Sequence, residues 1–104
     1  MNLDELIKAL QHEPADKIIR EGFHRPHSYR GHYDQLAFEP LMNARVGDML
    51  EAAQGSLGRV FIGYKGGDFM MGPYTGCNLA HYGSCGDELS ERLLRYMLAD
   101  EVTA

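Results

Sequence analysis

The sequence has few cysteines and no long apolar run, and each absence excludes a class of protein. Cys77 and Cys85 are its only two cysteines, too few for a disulfide scaffold, so a reducing cytosol is the default compartment. No window of about 18 residues is apolar, and no basic stretch at the start leads into an apolar one, so we expect neither a membrane span nor a signal peptide. A chain of 104 residues has room for one hydrophobic core.

Basic residues are also scarce, but one segment has more basic than acidic residues. The formal net charge is −5, with acidic residues concentrated in residues 1–16 and 86–104. Between residues 20 and 33, Arg20, Arg25 and Arg30 outnumber Glu21. This distribution is poorly suited to a long duplex, whose affinity depends on neutralising many phosphates. A local basic segment instead favours a small anion.

Apolar residues recur at helical spacing in three places. The stripes are Leu3, Leu6, Ile7 and Leu10; Val46, Met49, Leu50 and Ala53; and Leu89, Leu93, Tyr96 and Met97. Asn2 and Glu5 have the spacing of a capping box, which predicts the start of the first helix. Asn43 is the nearest cap candidate for the second helix, and Asp87 is the expected cap of the third.

Short apolar or β-branched runs predict about five strands. They lie at residues 17–23, 36–38, 59–64, 69–71 and 77–80. Residues 24–34 form a polar loop, and Pro40 is expected to end the second strand. Most predicted strands follow one another as hairpins, which indicates an α+β domain with an antiparallel sheet and two to three packed helices. We expect one domain over residues 1–99 and a frayed tail over residues 100–104.

The polar loop holds residues suited to a phosphate-bearing ligand. They are His27, Ser28, Tyr29, Arg30 and Tyr33. Arg30 offers a planar fork of N–H donors that matches phosphate oxygens, and tyrosine rings stack on bases. The alternative is a structural loop in which Arg30 pairs with a carboxylate such as Asp34 or Glu39.

Further candidates lie outside that loop. Lys65 and Gly66 sit in a glycine-rich turn that can present backbone N–H groups and a charge to phosphate, although a plain hairpin turn needs the same glycines. Phe69, Asn78 and Arg95 would add an aromatic platform, an amide and a further phosphate contact. The alternative is that Phe69 is a core residue, Asn78 a turn residue and Arg95 a solvated helix position.

Several short blocks carry a resemblance to a known group of proteins. They are HSYRG at 27–31, LAFEP at 36–40, VGDML at 46–50 and GYKGGD at 63–68. With these blocks, residues 1–86 resemble small accessory proteins of tailed bacteriophages. In size and α+β layout the chain is also similar to the phage anti-Thoeris sponge proteins. Those proteins sequester a cyclic ADP-ribose signal without chemistry, in oligomeric assemblies. Small domains often build a ligand pocket between protomers, so we expect a homo-oligomer. The resemblance implies a place in the host cytoplasm and transfers no binding residue.

Metal binding and catalysis have weaker sequence support. Cys77, His81 and Cys85 are each four residues apart, but this series lacks the two tight ligand pairs of a structural zinc site, and whether it converges stays open. Ser28 and His27 are sequence neighbours, which rarely have triad geometry, and no nucleophile-elbow motif occurs. We therefore expect no metal, no cofactor and no enzymatic activity.

Together these features predict a phage counter-defence protein that binds a nucleotide immune signal and leaves it intact. The signal would be of the cyclic ADP-ribose type or a cyclic oligonucleotide. The alternative is a small acidic inhibitor that contacts a host defence enzyme directly, with Asp87, Glu88 and Glu91 covering a basic site.

Overall fold

Helices lie at the start, middle and end of the chain in the computed structural model, which describes residues 1–102. The helices are α1 (Leu3–Gln11), α2 (Val46–Ser56) and α3 (Glu91–Ala99). The strands are β1 (Ile18–Ser28), β2 (Leu36–Arg45), β3 (Val60–Ile62), β4 (Asp68–Met70), β5 (Cys77–Leu79) and β6 (Asp87–Glu88). Within residues 1–102, no helix has the length and apolarity needed to cross a membrane.

The strands form one sheet of four and one of two, which confirms the α+β class. The larger sheet has the order β1-β2-β5-β6, and β3 pairs with β4 as a separate hairpin. The prediction of about five antiparallel strands in one sheet was wrong in two respects, because the main sheet has four strands and β5 runs parallel to β2. The chain between β2 and β5 contains α2 and the hairpin, and such a long connection permits parallel pairing.

The first two strands are longer than predicted and form the backbone of the main sheet. β1 continues to Ser28, into the segment predicted as a loop, because its partner β2 extends as far. Pro40 does not end β2. Leu36 N donates to Gly76 O and Phe38 O accepts from Ala80 N, so the backbone groups of these two residues face the β5 side of β2. Every second residue of a strand faces the same side, so the backbone nitrogen of Pro40 also points away from β1. Its missing N–H therefore costs no bond between β1 and β2.

One of the three predicted N-cap residues caps its helix in the structure, and the other two do not. The Asn2 side chain accepts from Glu5 N at 2.9 Å and Glu5 accepts from Asn2 N, which confirms the predicted capping box. Asp87 is not the cap of α3, because it pairs with β5. Ser90 takes that role, with its hydroxyl accepting from Leu93 N at 3.1 Å. Asn43 does not cap α2 either, and it adopts a left-handed φ of 57° inside β2.

The helices and strands enclose a single core. Its largest fully buried side chains include Phe23, Phe38, Leu6, Met49 and Leu94. The end of the chain also contacts the sheet, contrary to the fraying expected from Asp100 onward. Arg20 N donates to Asp100 O, and Val102 N donates to Ile18 O, because residues 100–102 add to the edge of β1. Residues 103–104 lie outside the described part of the chain.

Candidate functional site

Three segments that are distant in sequence meet at one end of the main sheet. They are residues 27–33 at the end of β1, the hairpin turn at residues 63–67, and the loop at residues 81–86 between β5 and β6. Arg30 contacts both of the other segments, and His27 and Tyr29 also reach toward the 81–86 loop. The structure therefore brings the two segments singled out by sequence, 27–31 and 64–68, to the same place.

Arg30 lies at the centre of this junction. Its Nη1 donates to Gly83 O at 2.7 Å, and its guanidinium carbon lies 4.8 Å from the centre of the Tyr64 ring. No carboxylate within residues 1–102 comes within 4.0 Å of it, so Arg30 does not form the ion pair with Asp34 or Glu39 that was its structural alternative. Guanidinium carries five N–H donors, and only one of them has a protein partner within residues 1–102, which leaves the remainder for a ligand.

Two tyrosines missed by the sequence analysis complete this region. The rings of Tyr64 and Tyr82 meet edge to face at 6.0 Å, and both are about half exposed. Gly83 packs beside Tyr64 with a left-handed φ of 79°, a conformation that glycine adopts without strain. We call Arg30, Tyr64 and Tyr82 the Arg–Tyr surface. It combines a positive charge with aromatic faces at the protein surface.

His27 and Tyr29 anchor the 81–86 loop rather than extend from the surface. The two ring nitrogens of His27 lie 3.1 Å from Ser28 O and 2.9 Å from Ala80 O, and the ring packs edge-on against Tyr82. The Tyr29 hydroxyl donates to Gly86 O and accepts from Gly86 N, both at 3.2 Å. These contacts fix the position of the loop that accepts the hydrogen bond from Arg30.

Besides His27, two other predicted ligand residues are buried, with their polar groups bonded to the protein. Ser28 donates from its hydroxyl to Tyr33 O at 2.6 Å. The Asn78 amide donates to Gln35 Oε1 at 3.1 Å and to Leu36 O at 3.2 Å. At 3% and 4% exposure they support the segments around them, which differs from the ligand contact expected for them.

Replacing Asn78 with leucine is expected to lower the free energy of unfolding by about 2 kcal/mol. Leucine has a similar size but no donor, so Leu36 O and Gln35 Oε1 would lose a buried partner, and an unpaired buried polar group costs about 1–3 kcal/mol. Urea denaturation measures the change. Gln54→Leu on the exposed face of α2 is the control, and an equal effect of both substitutions would contradict the structural role of Asn78.

The hairpin turn carries the other predicted residues. Lys65 is exposed at its tip, and Gly66 N donates to Gly63 O at 2.9 Å within the turn. Phe69 is half-buried beneath the turn, and its ring lies 6.1 Å from that of Tyr33. The contact between Tyr33 and Phe69 links residues 27–33 to the hairpin, in addition to the contact between Arg30 and Tyr64.

Arg95 belongs to a different part of the molecule. It lies on α3, where it pairs with Glu91 at 3.1 Å. It lines a cavity of about 350 Å³ between α1 and α3, together with residues such as Ala9 and Leu98. The Arg–Tyr surface therefore does not include Arg95. Residue type alone predicts a phosphate contact for Arg95, and the fold separates it from the other predicted residues.

The cysteine–histidine series does not form a compact ligand set. Cys77 is buried in β5 while Cys85 is exposed in the loop before β6. Within residues 1–102, no three side chains of His, Cys, Asp or Glu are placed to hold one metal ion. Burial raises the pKa of the Cys77 thiol from 9.0 to about 12, which keeps the thiol protonated at neutral pH.

The Arg–Tyr surface is open rather than enclosed within one chain. Arg30, Tyr64 and Tyr82 are all exposed to solvent. One carboxylate lies nearby, since Glu39 accepts from Tyr82 N at 3.4 Å and its other oxygen is 4.0 Å from Arg25.

Comparison with known proteins does not identify a relative. The chain matches no protein-family model, no curated protein and no solved structure.

Proposed function

We propose that this protein binds a phosphate-bearing nucleotide at the Arg–Tyr surface and sequesters it without cleaving it. In its full form, the proposal is a phage counter-defence protein that captures an immune signal in the host cytoplasm. The signal would be of the cyclic ADP-ribose type or a cyclic oligonucleotide. The single observation that carries the binding proposal is the exposed Arg30 guanidinium, stacked on Tyr64 and without a carboxylate partner within residues 1–102.

The electrostatics of Arg30 support an anionic ligand. Of the seven arginines, Arg20, Arg25, Arg45 and Arg95 have a carboxylate within 4.0 Å, whereas Arg30, Arg59 and Arg92 have none within residues 1–102. Arg30 instead donates to the carbonyl oxygen of Gly83, which positions the guanidinium but does not neutralise it. A phosphate oxygen that accepts from the remaining N–H groups would form charge-assisted hydrogen bonds, which are about twice as strong as neutral ones.

The aromatic rings support a base or ribose beside that phosphate. Tyr64 and Tyr82 present half-exposed faces next to the charge, and base–aromatic stacking contributes about 1–3 kcal/mol per base. Lys65 extends from the same hairpin turn as Tyr64 and would supply a second positive charge. The pair of features, a cation beside stacked rings, matches a nucleotide better than an inorganic anion.

A second protomer would convert this open surface into a closed pocket. Tight capture of a small ligand requires that most of its surface is removed from water, and one copy of this chain leaves the Arg–Tyr surface exposed. We therefore include a homo-oligomer in the proposal. Light scattering with and without ligand measures the assembly, and an increase in mass on ligand addition is the expected result.

Isothermal titration calorimetry with cyclic ADP-ribose isomers and cyclic oligonucleotides tests the proposal. At least one of these ligands is expected to bind at micromolar level or tighter. Arg30→Ala should weaken binding by about ten- to a hundredfold, since a hydrogen bond to a charged group contributes about 1.5–3 kcal/mol. Arg92→Ala removes an exposed charge from α3 and is the matched control, with little effect expected.

The outcomes separate this proposal from its alternatives. If none of the nucleotides binds at micromolar level, or if Arg30→Ala and Arg92→Ala weaken binding equally, the proposal is wrong. Chromatography of the ligand after incubation should recover it unchanged, and a cleaved product would indicate an enzyme. A stoichiometric protein partner from host lysate, with no co-purifying nucleotide, would instead favour the direct inhibitor of a defence enzyme.

A further inference from the structure

A groove with an apolar floor lies between β2, the start of β6 and α3, and Arg30, Tyr64 and Tyr82 are not among its lining residues. Its volume is about 430 Å³, within the range of about 300–1,000 Å³ that is typical of ligand sites. β2 extends past the last residue of β5 that pairs with it, and Leu93 and Met97 of α3 line the groove beside this part of β2.

The lining of the groove is apolar inside and remains apolar at the rim. Leu79, Leu93 and Met97 form its interior, and Leu41 and Met42 border it from β2. Met42 is 61% exposed, which is high for a methionine. A small molecule that filled only the interior would leave this apolar rim in water. The exposed rim therefore favours a macromolecular partner that covers it, and the flexible methionine side chains would adapt to such a partner.

The polar side chains of the groove give its charge. Glu21 and Asp87 both line it and are both exposed. Neither carboxylate forms an ion pair with a lysine or arginine of the described chain, although six other acidic residues do. His81 is the third polar group of the lining. Two uncompensated carboxylates beside an apolar floor are complementary to an apolar side chain with a neighbouring cation.

The backbone of β2 limits how a partner can bind. The outer edge of β2 includes Pro40, which has no N–H to offer, and a proline on an open edge discourages the addition of another strand. Asn43 has a left-handed φ of 57°, which interrupts the regular extended backbone a few residues further along. Insertion of side chains into the groove, rather than strand addition along the edge, is the mode this geometry favours.

We propose that this groove is a docking site for a protein segment in which a leucine-like side chain is flanked by lysine or arginine. The apolar side chain would lie on Leu79, Leu93 and Met97, and the flanking cation would pair with Glu21 and Asp87. Arg30, Tyr64 and Tyr82 do not line the groove, so the two proposed binding surfaces use different side chains, although both border the 81–86 loop through Tyr82 and His81.

Two synthetic peptides test the proposal, one of alternating leucine and lysine and one of alternating leucine and glutamate. NMR titration follows the backbone amide signals of the full chain. The lysine peptide is expected to shift the signals of Leu41, Met42 and Leu79 and to bind at least tenfold more tightly than the glutamate peptide. Asp87→Asn should weaken binding of the lysine peptide by about threefold to fivefold, since exposed ion pairs contribute up to about 1 kcal/mol.

Glu88→Gln is the matched control, because it removes the same charge from the next residue of β6 without altering the lining of the groove. Its effect should stay below about twofold. Equal effects of Asp87→Asn and Glu88→Gln would show unspecific attraction to an acidic chain and overturn the proposal. Equal binding of the two peptides would overturn it as well. Signals of Leu41 and Met42 that shift with protein concentration alone would assign the groove to a second copy instead.

Discussion

Replacement of Gly86 by alanine is expected to lower the free energy of unfolding by about 3 kcal/mol or more. A Cβ at this position would overlap the carbonyl oxygen of Leu79 and would lie 3.0 Å from the Cα of Ala80. Both obstacles are backbone, so no side-chain rotation relieves them, and overpacking of this kind reaches the upper end of its usual range of about 1–3 kcal/mol.

The same substitution should also disturb the Arg–Tyr surface. Gly86 bonds to the Tyr29 hydroxyl through both its N–H and its carbonyl, and it directly precedes β6. If the backbone moves to admit a methyl group, the loop that carries Tyr82 and Gly83 moves with it. Quenching of tyrosine fluorescence by acrylamide is therefore expected to increase together with the loss of stability seen in urea denaturation.

Gly72→Ala is the matched control for this prediction. A Cβ at Gly72 meets no atom within 4 Å, and its φ is not in the left-handed region. Its stability should change by less than about 0.5 kcal/mol. Equal stability of the Gly86 and Gly72 variants would show that the backbone around Leu79 yields easily, and the close approach would then have no structural importance.

Features with a local cause were predictable from sequence. The first helix is an example, because the capping box of Asn2 and Glu5 and the apolar stripe of Leu3, Leu6 and Leu10 all lie within nine residues of one another. Its start and its buried face follow from those residues alone. The hairpin of β3 and β4 is similar, because the glycines of its turn directly join the two strands that pair.

Features that depend on distant partners were not predictable. β6 contains only Asp87 and Glu88, and two acidic residues have neither apolar alternation nor β propensity. They form a strand because the edge of β5 offers them backbone partners. The continuation of β2 through Pro40 has the same origin, since the harm done by a proline depends on which edge of the strand is already paired.

The candidate site also contains residues of both kinds, some recognisable from sequence and some that depend on distant contacts. Arg30 could be singled out as a candidate from its residue type and its place in a basic segment. Tyr82 could not, because its contacts with His27 and Tyr64 join segments far apart in the chain. Conversely, Asn78 was expected to contact a ligand on the basis of its amide alone, and the fold places that amide in the interior. Residue type indicates chemistry, but only the fold determines which side chains face water.

Alkaline pH is expected to destabilise the protein through Cys77. This thiol is buried, and desolvation of the thiolate raises its pKa from 9.0 to about 12; the ammonium group of Met1 opposes the shift and Glu5 adds to it. Between these two pH values the unfolded chain loses the proton while the folded chain keeps it. The unfolded state then binds fewer protons, so the free energy of unfolding falls as pH rises.

The expected slope is about 1.4 kcal/mol per pH unit, starting near pH 9, and the loss approaches about 4 kcal/mol near pH 12. Below pH 9 both states hold the proton and Cys77 contributes no slope. Urea denaturation of the reduced protein between about pH 8 and pH 11 measures the change, and Cys77→Ala should remove this part of it. Other groups also titrate in this range, so the difference between the two proteins is the quantity of interest.

Cys85→Ala provides the control, because it removes an exposed thiol and leaves the buried one in place. This variant should keep the alkaline loss of the unaltered protein. Cys77→Ala will be less stable at neutral pH, since it leaves a small cavity beside the core, but its curve should be flatter above pH 9. If the curves of the two variants run parallel from pH 8 to pH 11, water reaches the Cys77 thiol more readily than its burial in β5 indicates, and the interior around β5 opens well before the protein unfolds.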